Sequence, residues 1–294
     1  MKKYCVLIIV LLFILSCRQT PEIVQEPEPE PEPEPELELE LEVVIEKIEI
    51  TVAGFNINRL QNLTASVPRM IDALVEVVSE FDIVIIHGIP NNRIDIIRNI
   101  NNITNFNNVC DYTYDYVVSS RAGRQQGAVL YNTFKLDLID TVVLNSPDRP
   151  YTKQPFVVFF RIVESGRIFS IFCLESEPEA AMEEIEYLRF DFPRISSKYV
   201  GQDSLLLCDL NYDDSYTEWE MSGFPENYSV TVLEEASPDS YNTFDYLFLP
   251  PIFNEKDTAF SGVRYFEDII DYQALNISSQ SLMGVYLVWM DLYF

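Results

Sequence analysis

Residues 81–87 read Phe-Asp-Ile-Val-Ile-Ile-His, an apolar run of strand length that a carboxylate precedes and an imidazole ends. A run that is apolar at every position is typical of a strand covered on both faces of its sheet. Other segments alternate apolar with polar residues, which is typical of strands with only one covered face. Both kinds of strand in one chain favour two packed sheets.

Eight strands are predicted from runs rich in β-branched and aromatic residues: 48–56, 82–87, 128–131, 156–163, 168–174, 204–209, 244–249 and 284–292. Ser66 and Pro68 open a predicted helix whose apolar residues recur at helical spacing as far as Phe81. A second amphipathic helix is predicted over about 179–190. Many strands and few helices predict an α/β fold of two packed sheets flanked by helices.

The first seventeen residues have the composition of a secretory signal. Lys2 and Lys3 precede an apolar run that is short for a membrane span and ends at Ser16-Cys17. A small residue before a cysteine at this place resembles the cleavage box of bacterial lipoproteins, in which the cysteine, here Cys17, becomes the acylated N-terminus. The alternative is an ordinary signal in which Cys17 is incidental.

Residues 18–42 are predicted to form an extended stalk, because Pro-Glu and then Leu-Glu repeats offer no apolar face and their carboxylates repel one another. Nothing in residues 43–294 resembles a second linker, so they are predicted to form one domain. Residues 1–42 hold three basic residues against ten glutamates, which leaves −20 of the total charge of −27 on the domain. Such a surface repels polyphosphate, and nucleic acid is not expected as a partner.

Three cysteines remain in the domain: Cys110, Cys173 and Cys208. Their spacing fits no zinc motif, and an odd number cannot pair completely. Buried free thiols are expected. A Cys173–Cys208 disulfide is the alternative if the two strands that carry these residues are neighbours.

Three segments carry a resemblance to a known family: Tyr-Val-Val-Ser-Ser at 116–120 with Gly-Arg at 123–124, the segment 151–158, and Asp-Leu-Asn-Tyr-Asp at 209–213 before Ser-Tyr at 215–216. They resemble, in order and spacing, motifs of the endonuclease/exonuclease/phosphatase superfamily, and most of all its deoxyribonuclease I-like members. The resemblance implies a four-layer sandwich, in which two mainly antiparallel β-sheets are flanked by helices.

The superfamily hydrolyses phosphate esters with a divalent cation held by carboxylates and with two histidines. The resemblance implies that four polar residues of that site are kept here: Asn56, Asp209, Asn211 and Asp245. Asp209 and Asn211 are the candidates for a metal site. Their alternative role is structural, since unpaired polar groups at the mouth of the sandwich would cost about 1–3 kcal/mol each.

Other superfamily positions have changed. The metal-binding glutamate aligns with Gly88, and the two catalytic histidines align with Glu175 and Gln280. A carboxylate is replaced by Ser279, and a phosphate-contacting arginine by Lys153, which stays a candidate phosphate-binding residue. Losses of this kind predict that the site has no functional catalytic residue. Asn56, Glu175, Asp209, Asn211, Asp245 and Gln280 are still expected to converge at one end of the sheets.

The only histidine, His87, closes an apolar strand and is expected to be a hydrogen-bonded near-core residue, with a ligand role as the alternative. Two functions follow. The preferred one is a lipid-anchored protein of the bacterial cell envelope, periplasmic or surface-exposed, whose inactive domain binds an unknown protein or envelope ligand and needs no cofactor. The other is a divergent Mg²⁺-dependent phosphodiesterase or nuclease with Glu175 as the base.

Overall fold

The computed structural model describes residues 48–57, 67–106, 113–120, 125–177, 179–199, 203–209, 229–232, 245–249, 261–265 and 286–294. All of them fall within one compact unit, Glu46–Phe294. The predicted signal, Cys17 and the stalk lie outside the described residues. No helix in the described ranges is long and apolar enough to cross a membrane.

The described strands are β1 (Glu49–Asn56), β2 (Ile83–Pro90), β3 (Tyr114–Val118), β4 (Gln125–Asn132), β5 (Leu136–Val143), β6 (Phe156–Ile162), β7 (Ile168–Glu175), β8 (Asp203–Asp209), β9 (Ser229–Val232), β10 (Asp245–Leu249), β11 (Ser261–Tyr265) and β12 (Tyr286–Tyr293). The described helices are α1 (Val67–Val78), α2 (Asp95–Phe106) and α3 (Ala181–Ser196).

The strands form two six-stranded sheets. The order in the first sheet is β11-β12-β1-β2-β4-β3, and in the second it is β5-β6-β7-β8-β10-β9. Each sheet contains one parallel pair, β1 with β2 and β7 with β8, and its other pairs are antiparallel. The predicted pair of mainly antiparallel sheets is confirmed.

Three apolar layers separate four layers of secondary structure. Val84 and Ile86 of β2 pack with α1 and α2, whereas Ile83 and Ile85 of the same strand face the second sheet. Phe159 and the rest of the outer face of the second sheet pack with α3. Both faces of β2 are therefore covered, which is why residues 83–86 are apolar without alternation.

The helix α2 was not predicted. Asparagines at four of its twelve positions have low helix propensity, which hides the apolar spacing of Ile96, Ile97 and Ile100. The prediction also ended α3 too early, since the helix runs through Pro193 to Ser196. Burial of Phe192 and Ile195 against the second sheet offsets the cost of an internal proline.

Cys173 is a free and buried thiol whose pKa is raised by burial. The strands β7 and β8 are neighbours, but their register places Cys173 beside Leu207 and Cys208 beside Leu174. The disulfide alternative is therefore wrong.

Candidate functional site

The two parallel strand pairs end at one polar cluster. In the first sheet, Asn56 at the end of β1 is paired in register with His87 of β2. In the second sheet, Glu175 at the end of β7 is paired with Asp209 at the end of β8. Asp209 is also the register partner of Asp245, the first residue of β10. Carboxyl ends of parallel strands are where many α/β folds build their sites.

The side chain of Asn56 joins the two sheets. Its Nδ2 donates hydrogen bonds to Glu175 Oε1 at 3.1 Å and to Asp209 Oδ2 at 2.9 Å. The residues Glu175 and Asp209 are only 8% and 4% exposed. Two nearly buried carboxylates thus share one amide group, which leaves their negative charge to be balanced by something else.

Lys153 provides a positive charge at this point. Its Nζ lies 2.6 Å from Glu175 Oε1 and 3.0 Å from Glu177 Oε1. Burial of the ammonium group works to lower the pKa of Lys153, but the charges and hydrogen bonds of the two glutamates outweigh it and raise that pKa. Lys153 is therefore protonated and engaged by carboxylates, and the sequence offered no signal for Glu177 beyond its position two residues after Glu175.

The loop that carries Lys153 is tied to α3 by two buried acids that the sequence analysis missed. Asp191 accepts hydrogen bonds from Arg149 Nη2 at 3.0 Å and from the Tyr151 hydroxyl at 3.2 Å. Glu184 accepts a hydrogen bond from the backbone N–H of Thr152. The sequence signal for these two residues was an acidic side chain on the otherwise apolar face of a helix. These contacts fix the backbone on the amino-terminal side of Lys153.

His87 is buried beside the cluster, at 6% exposure. Desolvation lowers its pKa, the charge of Glu175 works against that effect, and the charge of Lys153 adds to it. The imidazole is therefore neutral, and within the described ranges its Nε2 is buried with no hydrogen-bond partner. It lines a small pocket of about 370 Å³, part of it open to solvent, together with Ser119, Gln125, Lys153 and Glu175.

Gly88 follows His87 in a β-bulge of β2, between Ile86 and Ile89. Its φ of 72° lies in the left-handed region, where a side chain is strained. Gly88 therefore lacks a carboxylate, and its backbone conformation also favours glycine over a residue with a side chain.

Deoxyribonucleases are among the curated relatives that are similar to this chain. Bovine deoxyribonuclease-1 is 26% identical over 207 residues, which are 67% of this chain and 72% of that protein. Rat deoxyribonuclease gamma is 24% identical over 179 residues, 58% of this chain and 57% of the relative. The chain thus spans less than two thirds of the length of the rat protein. No protein-family model matches the chain.

The fold is shared with two proteins of Bacteroides thetaiotaomicron. An endonuclease/exonuclease/phosphatase family protein superposes with a TM-score of 0.56 at 15% identity, over 85% of this chain and 99% of the other. A mannosyl-6-phosphatase superposes with a TM-score of 0.57 at 14% identity, over 83% of this chain and 100% of the other. The fold is deoxyribonuclease I-like. The resemblance to the endonuclease/exonuclease/phosphatase superfamily is confirmed.

In the part of the site that the structure describes, the donor set of this deoxyribonuclease I-like domain does not fit a divalent cation. Glu175 Oε1 accepts from an amide and an ammonium group, and Asp209 Oδ2 accepts from the same amide. Among the described residues, no group of three or more His, Cys, Asp or Glu side chains is arranged to hold a metal ion.

The predicted site residues divide into three groups. Asn56, Glu175 and Asp209 are in direct contact, with Lys153 beside them. The register brings the backbone of Asp245 next to Asp209. Asn211, Ser279 and Gln280 lie outside the described residues.

Proposed function

We propose that the chain is an exported, lipid-anchored protein whose deoxyribonuclease I-like domain is a catalytically inactive binding or structural module. The observation that carries this proposal is the state of Glu175. It stands where the superfamily has a catalytic histidine, and its Oε1 is occupied by the Lys153 ammonium and the Asn56 amide. An acid or base group is typically worth about 10²- to 10⁴-fold in rate, so losing two histidines leaves activity near background.

The cellular side of the proposal rests on the N-terminal sequence. Acylated Cys17 would hold the chain on a membrane, and the stalk would carry the domain away from it, in the periplasm or on the cell surface. The ligand would be a protein or another envelope component. With −20 on the domain, nucleic acid is not proposed as a partner, and no cofactor is proposed.

The alternative is a divergent Mg²⁺-dependent phosphodiesterase or nuclease, and the similarity to deoxyribonucleases favours it. Asp209, Asn211 and Asp245 would lie about the cation, and Glu175 would act as the base. This function needs Glu175 to give up its contact with Lys153 before it can accept a proton from water.

An activity assay separates the two functions. The purified chain with Mg²⁺, Mn²⁺ or Ca²⁺ is expected neither to nick supercoiled DNA nor to hydrolyse an activated phosphodiester or phosphomonoester above a control without enzyme. Metal-dependent turnover that Asp209→Ala abolishes would instead establish the alternative. Asp137→Ala is the matched control, because this exposed carboxylate lies on β5, away from the cluster.

Mass spectrometry of the mature N-terminus from a bacterial host tests the anchor. The expected result is a diacylglyceryl-modified Cys17 as the first residue, lost in Cys17→Ser. An unmodified N-terminus at another residue would contradict it.

A further inference from the structure

The cluster at the carboxyl ends of β1, β7 and β8 brings two nearly buried carboxylates together. Glu175 and Asp209 are adjacent in the register of two parallel strands, and both are nearly buried. Asn56 donates to both of them but carries no charge. Burying two carboxylates requires a cation, since an uncompensated buried charge is strongly destabilising.

The ammonium group of Lys153 meets this requirement from within the chain. It lies 2.6 Å from Glu175 Oε1, and its side chain is only 19% exposed. The preceding residues of its loop are held on α3 by the buried carboxylates of Glu184 and Asp191. Because this support is built into the second sheet and its helix, the position of Lys153 is preorganised.

We propose that Lys153 is the resident cation of this site and takes the place of a divalent cation beside the Glu175–Asp209 pair. The native chain therefore binds no divalent cation there. Removing the ammonium alone leaves the nearly buried carboxylates of Glu175 and Asp209, the more exposed carboxylate of Glu177, and the amide of Asn56, which can turn its oxygen inwards. These oxygen ligands suit Ca²⁺ or Mn²⁺. The inference deepens the proposed function, since it states what holds the inactive site together.

The test compares the full-length wild type with Lys153→Met and with Lys135→Met. Lys135 is the matched control, because its Nζ lies 2.7 Å from the buried carboxylate of Asp82 but no second carboxylate is in contact there among the described residues. Calorimetric titration with Mn²⁺ is expected to show no saturable binding to the wild type or to Lys135→Met. Lys153→Met is expected to bind one Mn²⁺ with a dissociation constant of about 10⁻⁴–10⁻³ M, in the range of weak oxygen-ligand sites. Mn²⁺ should then raise its Tm.

Two further variants assign the binding to this cluster. Glu175→Gln in the Lys153→Met background should abolish it, and Lys153→Arg should bind nothing, because it keeps the positive charge. If Lys153→Met does not fold alone, recovery of its circular dichroism on adding Mn²⁺ supports the inference, and no recovery overturns it.

Two results would overturn the proposal: saturable Mn²⁺ binding by the wild type that Glu175→Gln removes, or a Lys153→Met chain as indifferent to Mn²⁺ as Lys135→Met. Neither is a measurement of turnover. Turnover by the wild type without metal would contradict the proposed function alone. Binding of Mn²⁺ by the wild type without turnover would contradict this inference alone.

Discussion

Two buried clusters of similar composition lie at opposite ends of β1 and β2. The amino-end cluster consists of Thr51, Asp82, Asn132 and Lys135, and the carboxyl-end cluster consists of Asn56, Lys153, Glu175 and Asp209. In the first, Asp82 accepts hydrogen bonds from Thr51, Asn132 and Lys135 at distances from 2.7 to 3.2 Å. In the second, Glu175 and Asp209 share the amide of Asn56, and Glu175 also accepts from the ammonium of Lys153.

The two clusters differ in the number of hydrogen-bond donors around each carboxylate. One carboxylate surrounded by donors links β1, β2 and β4 and leaves little for a ligand to do, which is the pattern of a structural network. In the carboxyl-end cluster, Glu175 and the neutral imidazole of His87 line a pocket, and His87 Nε2 has no hydrogen-bond partner in the described ranges. Only the carboxyl-end cluster therefore qualifies as a site.

The largest effect is expected at the amino-end cluster. Asp82→Ala leaves a lysine, an amide and a backbone N–H without their acceptor and should lower the free energy of unfolding by about 3–5 kcal/mol. Asp209→Ala should cost less, about 1–3 kcal/mol, because it also relieves repulsion from Glu175. Urea unfolding of both variants measures the two losses in the free energy of unfolding. Equal losses would contradict the proposed difference between the clusters.

The two lysines should differ in the same measurement. Lys153→Met leaves Glu175 nearly buried without a counter-charge and should cost about 2–3 kcal/mol. Lys135→Met should cost about 1 kcal/mol, since Asp82 keeps its other donors and Lys135 is 36% exposed. The double variant should be additive within about 0.5 kcal/mol. Strong coupling would show that the two clusters act as one network.

A smaller effect is expected from the glycine beside the carboxyl-end cluster. Gly88→Ala should cost about 1–2 kcal/mol, because its φ of 72° strains any side chain. Gly166→Ala is the matched control, with a φ of 71° and no atom within 4 Å of the added carbon. Similar losses in thermal unfolding would assign the cost to the backbone alone. A stable Gly88→Ala would contradict the strain argument.

The smallest effect concerns pH. Because the folded pKa of His87 is lowered by burial, the unfolded chain binds a proton near its usual pKa of about 6.5 while the folded chain does not. The stability that depends on neutral His87 is present above pH 6.5 and falls below it, by up to about 1 kcal/mol per pH unit. His87→Gln should show a flatter profile between pH 7.5 and 5.5. Identical stability profiles for the wild type and His87→Gln would show that the imidazole is solvated in the folded chain.

The sequence predicted eight strands, and each corresponds to a described strand. Of the four described strands that it missed, β5 is an edge strand with charged residues in its middle, so its pattern shows little periodicity. The helix α2 was missed because weak local propensity conceals a face that only tertiary burial stabilises. Local pattern is informative where burial repeats with the period of the element, and uninformative where distant contacts decide.

For the site, the sequence by itself determined which chemical groups are present. They include the only histidine of the chain, a glutamate where the superfamily has a catalytic histidine, and a lysine where it has an arginine. It also determined the order of the motifs, and hence the resemblance to the superfamily. Only the tertiary structure decided that Lys153 pairs with Glu175 and that Asn56 bridges two sheets. The partners of these contacts are separated by 22, 119 and 153 positions in the sequence and meet only after both parallel strand pairs are packed. Charge compensation depends on distances between strands, which no local pattern encodes.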